Sequence, residues 1–250
     1  DRVRMIKQWQ EQRLSLREIH ERLQMRDRLS MPSLLTEECL RLLTKNDLET
    51  VRQSILSASD AGLPLEVIFG DVIQELLIEV GNRWQDGDLI VAQEKEISEL
   101  MREVIVDLTL RSAGTASGPL LVAACVEGER HELGLRMVCG LLRAHDYDVR
   151  FLGADVAPRF LGESARLHRP VAVLLSGSMP AHLEAVETAI ETLGSLAIEG
   201  IPPLVIVGGS GVEGESERVG SLGAIPVGEG NPGMAASAVM RIVPAVATTR

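Results

Sequence analysis

The chain of 250 residues is long enough for two domains, or for one domain with a helical extension. Its formal net charge of −11 argues against a nucleic-acid-binding role for the whole chain, and no run of about 18 uncharged apolar residues predicts a membrane span. Because the charged N-terminus also lacks the pattern of a signal peptide, we predict a cytoplasmic protein with no membrane partner. Cys39, Cys125 and Cys139 lack metal-binding spacing, so we expect idle thiols.

The N-terminal 28 residues are basic, with eight Lys or Arg against five Asp or Glu. A basic end on an acidic body favours an interaction arm, although a solvated helix face explains the same charges. Apolar spacing over residues 3–23 predicts helix in two pieces.

Residues 33–112 repeat Leu, Val and Ile at helical spacing, and the short connections favour an antiparallel bundle. The predicted helices are 33–44, 47–61, 64–84 and 91–112. Trp84 ends the third helix beside a Gly-containing turn, and Glu94 lies near the start of the fourth. The two side chains could flank an outward-facing surface. A partly buried core Trp and a solvated Glu are the alternative.

Residues 113–118 are small and uncharged, which is the composition of a flexible linker, and we place the domain boundary there. After it, apolar strands alternate with helices. The predicted strands are 120–124, 148–152, 171–175, 204–207 and 224–227, and the predicted helices are 133–144, 157–167, 181–196, 213–222 and 232–242. The fold class is therefore α plus α/β, with a four-helix bundle followed by a flavodoxin-like, doubly wound parallel five-stranded sheet.

His131 follows the first strand, at the edge where open α/β sheets bind ligands. A loop imidazole there is free to coordinate a metal, and a carboxylate on its other ring nitrogen, such as that of Glu129, would fix its tautomer. A polar residue at a helix start is the alternative. The same edge should carry Ser176 and Ser178 after the third strand, and Gly208 and Gly209 after the fourth. Such small residues leave room for a large group, although glycine pairs also form ordinary turns.

Together these motifs resemble the cobalamin-binding module, a helical cap bundle followed by a flavodoxin-like domain. The resemblance covers most of residues 33–243. It implies that Glu129, His131 and Gly134 match the family's D/E-x-H-x-x-G motif, whose His is the lower axial cobalt ligand. It implies that Trp84 and Glu94 cover the upper face of the corrin.

The serine motif and the diglycine hold the displaced nucleotide tail in that family. The cofactor would therefore bind base-off and His-on between the bundle and the flavodoxin-like domain. The cofactor-binding residues implied are Trp84, Glu94, Glu129, Arg130, His131, Gly134, Ser176, Ser178, Gly208 and Gly209, with His131 as the metal ligand.

The segment Gly128 to Gly134, with residues 3–7 and 14–19, resembles the MerR-type, light-responsive CarH group of repressors. This implies a regulator rather than an enzyme, adenosylcobalamin as cofactor (methylcobalamin or hydroxocobalamin being the other forms) and a homo-oligomer. DNA would be bound through an N-terminal region that is incomplete or absent here, or through a partner transcription factor. The domains expected are 1–30, a MerR-like remnant, 33–112, the cap, and 119–250, the flavodoxin-like domain.

Three residues depart from the group's pattern. Lys95 follows Glu94 where the family has His, Gln85 follows Trp84 where light-sensing relatives carry His, and Ser178 replaces a larger residue, which should widen the tail slot. Two alternatives therefore stay open. One is a corrinoid carrier subunit of a methyltransferase, and the other is a sensor or antirepressor that uses another tetrapyrrole or no cofactor.

Overall fold

The computed structural model describes Ser15 and residues 31–196, 202–228 and 230–245. These residues pack as two compact units that divide between Leu100 and Met101. Apart from Ser15, the predicted MerR-like region of residues 1–30 lies outside the described residues. None of the helices in the described part of the chain is long and apolar enough to cross a membrane.

The first unit is helical, and its helices begin and end within two residues of the predicted positions, with one exception. Apolar side chains at helical spacing, such as Val51, Ile55 and Leu76, are fully buried. Asp47 caps the second helix by accepting a hydrogen bond from the Thr50 backbone N–H at 3.3 Å. The helices of the unit are α1 (Pro32–Leu43), α2 (Leu48–Asp60), α3 (Leu65–Val67), α4 (Gln74–Gln85) and the first part of α5 (Val91–Ser112).

The exception is a π-helical segment, Ile68–Ile73, which joins α3 to α4 where a continuous α-helix was predicted. Its wider turn buries the adjacent apolar residues Ile68, Phe69, Val72 and Ile73 together. The Thr36 hydroxyl of α1 lies 3.0 Å from the Pro32 backbone oxygen of its own helix and 3.2 Å from the backbone oxygen of Asp71. The segment thus combines extra apolar burial with a polar contact to α1.

The second unit is a five-stranded parallel sheet in the order β2-β1-β3-β4-β5, which confirms the predicted flavodoxin-like fold. Fully buried Val122, Ala124, Val173 and Val207 lie in the core of the unit. The strands are β1 (Leu120–Val126), β2 (Asp148–Val156), β3 (Ala172–Ser176), β4 (Leu204–Gly208) and β5 (Ile225–Pro226). The helices are α6 (Leu133–Ala144), α7 (Pro158–His168), α8 (Leu183–Gly194), α9 (Ser216–Ser221) and α10 (Pro232–Ile242).

The segment 113–118 is tied to the turn between α6 and β2, unlike the flexible linker that its composition predicted. The backbone N–H and the hydroxyl of Thr115 donate to Asp146 Oδ1 at 2.7 and 2.8 Å. The N–H of Gly114 donates to the Arg143 oxygen at 2.9 Å, and that of Gly118 to the Asp146 oxygen at 2.9 Å. The two bonds from Thr115 lower the pKa of the Asp146 carboxyl, so the carboxylate stays charged and remains a strong acceptor.

The three cysteines are buried within their units. Burial raises the pKa of Cys39, Cys125 and Cys139 to about 12 in each case. The thiols are therefore protonated at neutral pH.

Candidate functional site

The loop after β1 places a buried carboxylate against an exposed imidazole. The Glu129 side chain is 0% exposed, and the His131 side chain is 71% exposed. Glu129 Oε1 accepts the backbone N–H of His131 at 2.6 Å and lies 2.8 Å from His131 Nδ1. Because Nδ1 has this acceptor, it carries the proton, and Nε2 keeps a free lone pair. The structure thus brings together the two residues that sequence reasoning paired.

The second oxygen of Glu129 is held by the loop after β3, which sequence reasoning did not foresee. The backbone N–H and the hydroxyl of Ser178 both donate to Glu129 Oε2. His182 Nδ1 lies 2.9 Å from the same oxygen. The hydroxyl of Ser178 thus has a partner in this carboxylate, and the predicted widening of a tail slot by Ser178 remains a prediction. The available signal was that β1 and β3 are neighbours in a flavodoxin-like sheet, which brings their following loops together.

The surroundings of Glu129 keep it ionised. Burial by itself raises the pKa of this carboxyl, but hydrogen bonds from Ser178 and His131 outweigh it and lower the pKa from 4.5 to about 2. The site therefore holds a permanent negative charge behind the His131 ring. That charge makes Nε2 a better electron-pair donor.

Two irregularities in β2 bring Asp155 to the same loop. Ala123 pairs with Phe151 but Ala124 pairs with Gly153, and a second register shift follows before Val126. Asp155 has a positive φ of 55°. Its carboxylate accepts the backbone N–H of Gly128 at 2.7 Å, and its own backbone N–H donates to the backbone carbonyl oxygen of Glu129 at 2.9 Å. The loop after β1 is therefore fixed from β2 as well as from β3.

Glu132 anchors the other end of the loop. It is buried, and its Oε1 accepts from Arg102 Nε at 2.9 Å and from an Arg136 terminal nitrogen at 3.1 Å. Arg136 also lies over the Phe151 ring, 4.6 Å from its centre. Arg102 belongs to α5, so this half-buried ion pair links the residue next to His131 to the long helix.

The two glycines after β4, Gly208 and Gly209, differ in the space that surrounds them. A Cβ on Gly208 would meet nothing closer than the Val227 oxygen at 3.8 Å, so there is space beside it. A Cβ on Gly209 would lie 2.5 Å from the Gly177 oxygen, so the predicted room at Gly209 is filled by the loop after β3. Ser210 strengthens this contact by donating to the Ser178 oxygen at 2.9 Å.

A cavity of about 300 Å³ lies beyond Gly208, at the carboxyl ends of β4 and β5. Its lining is formed by Val212, Glu213, Gly214, Ser216, Pro226, Val227 and Gly228. The cavity is large enough for part of a heterocyclic group.

The remaining predicted residues of this unit lie nearby in the fold. Ser176 ends β3 and is half-buried, whereas Arg130 is exposed beside His131. Gly134 lies in the first turn of α6, where a Cβ would meet open space. None of these three has a contact that assigns it a role, so their roles remain predictions.

Trp84 and Glu94 belong to the first unit. Trp84 is 46% exposed near the end of α4, as expected for an indole that leaves the bundle. Glu94 accepts from the Ser98 hydroxyl at 2.8 Å and pairs with Lys95 Nζ at 3.0 Å, so Lys95 neutralises the carboxylate. Their covering role remains a prediction.

The chemistry of this donor set fits a cofactor that needs one axial ligand. His131 offers a single lone pair with a fixed tautomer, backed by an ionised carboxylate. Among the described residues, no group of three or more His, Cys, Asp or Glu side chains is arranged to hold a metal ion.

Comparisons with known proteins point to one cofactor. Two B12 binding domain families match the chain, one over residues 35–106 and the other over residues 119–237. The chain is 33% identical over 177 residues to the HTH-type transcriptional repressor CarH of Myxococcus xanthus, covering 65% of this chain and 58% of that protein. It is 25% identical over 184 residues to trimethylamine corrinoid protein 2 of Methanosarcina acetivorans, covering 72% of this chain and 84% of that protein.

Among solved structures, the monomethylamine corrinoid protein of Methanosarcina barkeri is similar with a TM-score of 0.69 and 20% identity, covering 83% of this chain and 98% of that one. At this identity the likeness concerns the fold.

Replacing Glu129 by Gln should change the pH dependence of stability. The pKa is depressed in the folded state, so its stabilisation is complete above pH 4.5 and is lost as the pH falls towards about 2. We expect the free energy of unfolding of the unsubstituted chain to drop by about 3 kcal/mol across this window, and Glu129→Gln to flatten that drop. Urea unfolding at several pH values measures this drop in the unsubstituted chain and in Glu129→Gln. The exposed neighbour substitution Glu127→Gln is the control, and an equal slope in both variants would contradict the assignment.

Replacing Gly209 by Ala should disrupt the contact between the loops after β3 and β4. Gly209 and Gly214 both have positive φ, but an added Cβ meets backbone only at Gly209. We expect Gly214→Ala to cost about 1–3 kcal/mol and Gly209→Ala roughly 1–3 kcal/mol more. Thermal or chemical unfolding compares the two variants. If the two variants lose equal stability, the close approach of the loops contributes nothing to the free energy of unfolding.

Proposed function

We propose that this chain, which matches two B12 binding domain families, acts as a cobalamin-dependent transcriptional regulator whose state is set by light. The observation that carries the cofactor assignment is the His131 ring, whose Nδ1 is held by the ionised Glu129 while Nε2 is left as the donor. Likeness to the CarH repressor, at 33% identity, supports the regulatory role.

Several residues of the chain would bind the cofactor, each in a different way. His131 would hold the cobalt through Nε2, and Glu129 would orient the ring and raise its basicity. The space beside Gly208 and the adjoining cavity would receive the nucleotide tail. Trp84 and Glu94 would shield the bound cofactor from water. When bound, a cobalamin supplies a light-sensitive bond between cobalt and its upper carbon ligand.

The chain spans 58% of the length of the CarH repressor. DNA binding and assembly are therefore proposed for this chain. We propose adenosylcobalamin as the cofactor, a homo-oligomer as the assembled form, the cytoplasm as location, and a role without catalytic turnover. The basic N-terminal residues, with eight Lys or Arg against five acids, favour contact with nucleic acid.

The corrinoid carrier of a methyltransferase is the second candidate. It is favoured by the likeness to trimethylamine corrinoid protein 2, 84% of which the chain covers. A carrier must pass its upper ligand to a partner enzyme, whereas a regulator keeps that ligand until its signal arrives. The two functions therefore differ in what removes the upper ligand.

Replacing His131 by Ala tests the cofactor assignment. After reconstitution with adenosylcobalamin in the dark, we expect the His-on visible spectrum to become that of the base-off form without an imidazole ligand. Affinity should fall by at least about tenfold, because the only protein-derived axial ligand in the proposal is removed. His145→Ala, a substitution of an exposed histidine outside the site, is the control. An unchanged spectrum and affinity would remove His131 from the cobalt.

The response to light separates the regulator from the carrier. We expect the chain loaded with adenosylcobalamin to assemble in the dark and to dissociate after green light, as measured by light scattering on a sizing column. In the parallel sample, the chain is loaded with methylcobalamin and incubated with a partner methyltransferase and its thiol acceptor. If light does not change the mass and the partner transfers the methyl group to the thiol, the carrier is the correct function and the regulator is not.

A further inference from the structure

His182 is a second imidazole at the Glu129 carboxylate. It ends a short 3₁₀ turn, Pro180–His182, immediately before α8. The side chain is 16% exposed, and its Nδ1 lies 2.9 Å from Glu129 Oε2. The atom is buried and has no hydrogen bond in its present orientation, so the distance suits a hydrogen bond but the direction does not.

The surroundings of His182 leave one partner for this nitrogen. The ring edge with Cδ2 and Nε2 faces Gly128, where an added Cβ would lie 3.7 and 3.9 Å from those atoms. The Nδ1 edge faces Glu129 Oε2. A buried ring nitrogen without a partner is unfavourable, and a small rotation of the ring would satisfy it. The geometry therefore favours a proton on Nδ1 that is donated to Glu129.

Such a donor would compete for a carboxylate that is already fully used. Oε1 accepts from the backbone N–H of His131 and lies against its ring nitrogen, and Oε2 accepts from the N–H and hydroxyl of Ser178. A carboxylate has about four acceptor positions, so a fifth donor has to share. Sharing reduces the negative charge that Glu129 presents to each donor, including His131.

We propose that His182 is a positioning residue that weakens the axial ligand: it donates its Nδ1 proton to Glu129 Oε2 and so limits how strongly Glu129 polarises His131. The inference rests on the proposed function in one respect, namely that His131 Nε2 binds cobalt. Its consequence is a bond between His131 and cobalt that is weaker than an unshared carboxylate would produce. A sensor that must change its state benefits from such a bond.

The first test uses the chain without cofactor. Two-dimensional ¹H–¹⁵N spectra of the imidazole rings distinguish a protonated Nδ1 from a protonated Nε2, and His182→Asn and His131→Ala assign the two signals. We expect both rings to carry the proton on Nδ1. A His182 ring protonated only on Nε2 would overturn the proposal.

The second test uses chain loaded with adenosylcobalamin in the dark. The dissociation constant of the cofactor is read from the visible spectrum at one alkaline pH, so that protons do not compete with cobalt for Nε2. In His182→Leu, which keeps the volume of the side chain but loses the donor, we expect this dissociation constant to fall about fivefold, the size expected for one hydrogen bond. His182→Asn offers a side-chain N–H near the Nδ1 position and should restore the original dissociation constant.

The outcomes separate this inference from the proposed function. If His182→Leu leaves the dissociation constant unchanged or raises it, or if His182→Asn behaves like His182→Leu, His182 supports the loop only by packing and the proposal fails. If the unsubstituted chain retains no corrinoid, or if His131→Ala leaves the spectrum unchanged, the proposed function fails. In that case the spectra of the chain without cofactor still decide whether His182 donates to Glu129.

Discussion

The carboxylate of Glu129 holds the ligand-binding edge of the sheet together. It is fully buried, and its two oxygens are divided between the loops after β1 and β3. A buried carboxylate is unfavourable unless donors surround it, and here Ser178 and His131 keep it ionised. If it were protonated or removed, Ser178 and His131 would each lose a strong acceptor. The fixed direction of the His131 ring is a consequence of this arrangement.

Parallel strand order makes the arrangement possible. β1 and β3 are adjacent, so residues 49 positions apart in the chain, Glu129 and Ser178, meet at one edge. The next loop is held to the second by the close approach of Gly209 to Gly177, and by the bond from Ser210 to the Ser178 oxygen. β2 adds Asp155 from the other side. A chain of loop contacts therefore runs across four neighbouring strands, and the imidazole is part of a rigid edge rather than of a free loop.

Periodicity in the sequence predicted most of the fold, because helices and buried strands differ in the spacing of their apolar residues. The contact between Glu129 and His131 could also be predicted from the sequence, because only one residue separates them. The contacts of Ser178 and His182 with Glu129 were not, because they depend on loop conformations at residues far apart in the chain. Irregular backbone conformations could not be predicted from the sequence either. The π-helical segment Ile68–Ile73 has an ordinary helical composition, and nothing local marks Asp155 for a positive φ.

The hydrogen bonds between Thr115 and Asp146 restrict where a chimera of this chain and a relative could be joined. A cut within residues 113–118 looks harmless by composition, yet it would separate the hydroxyl and amide of Thr115 from a carboxylate that lies 31 positions later. A chimera that exchanges the helical half should therefore carry a hydrogen-bonding residue at 115, or transplant the turn that contains Asp146. The crossover point is set by this acceptor rather than by the visible change in composition.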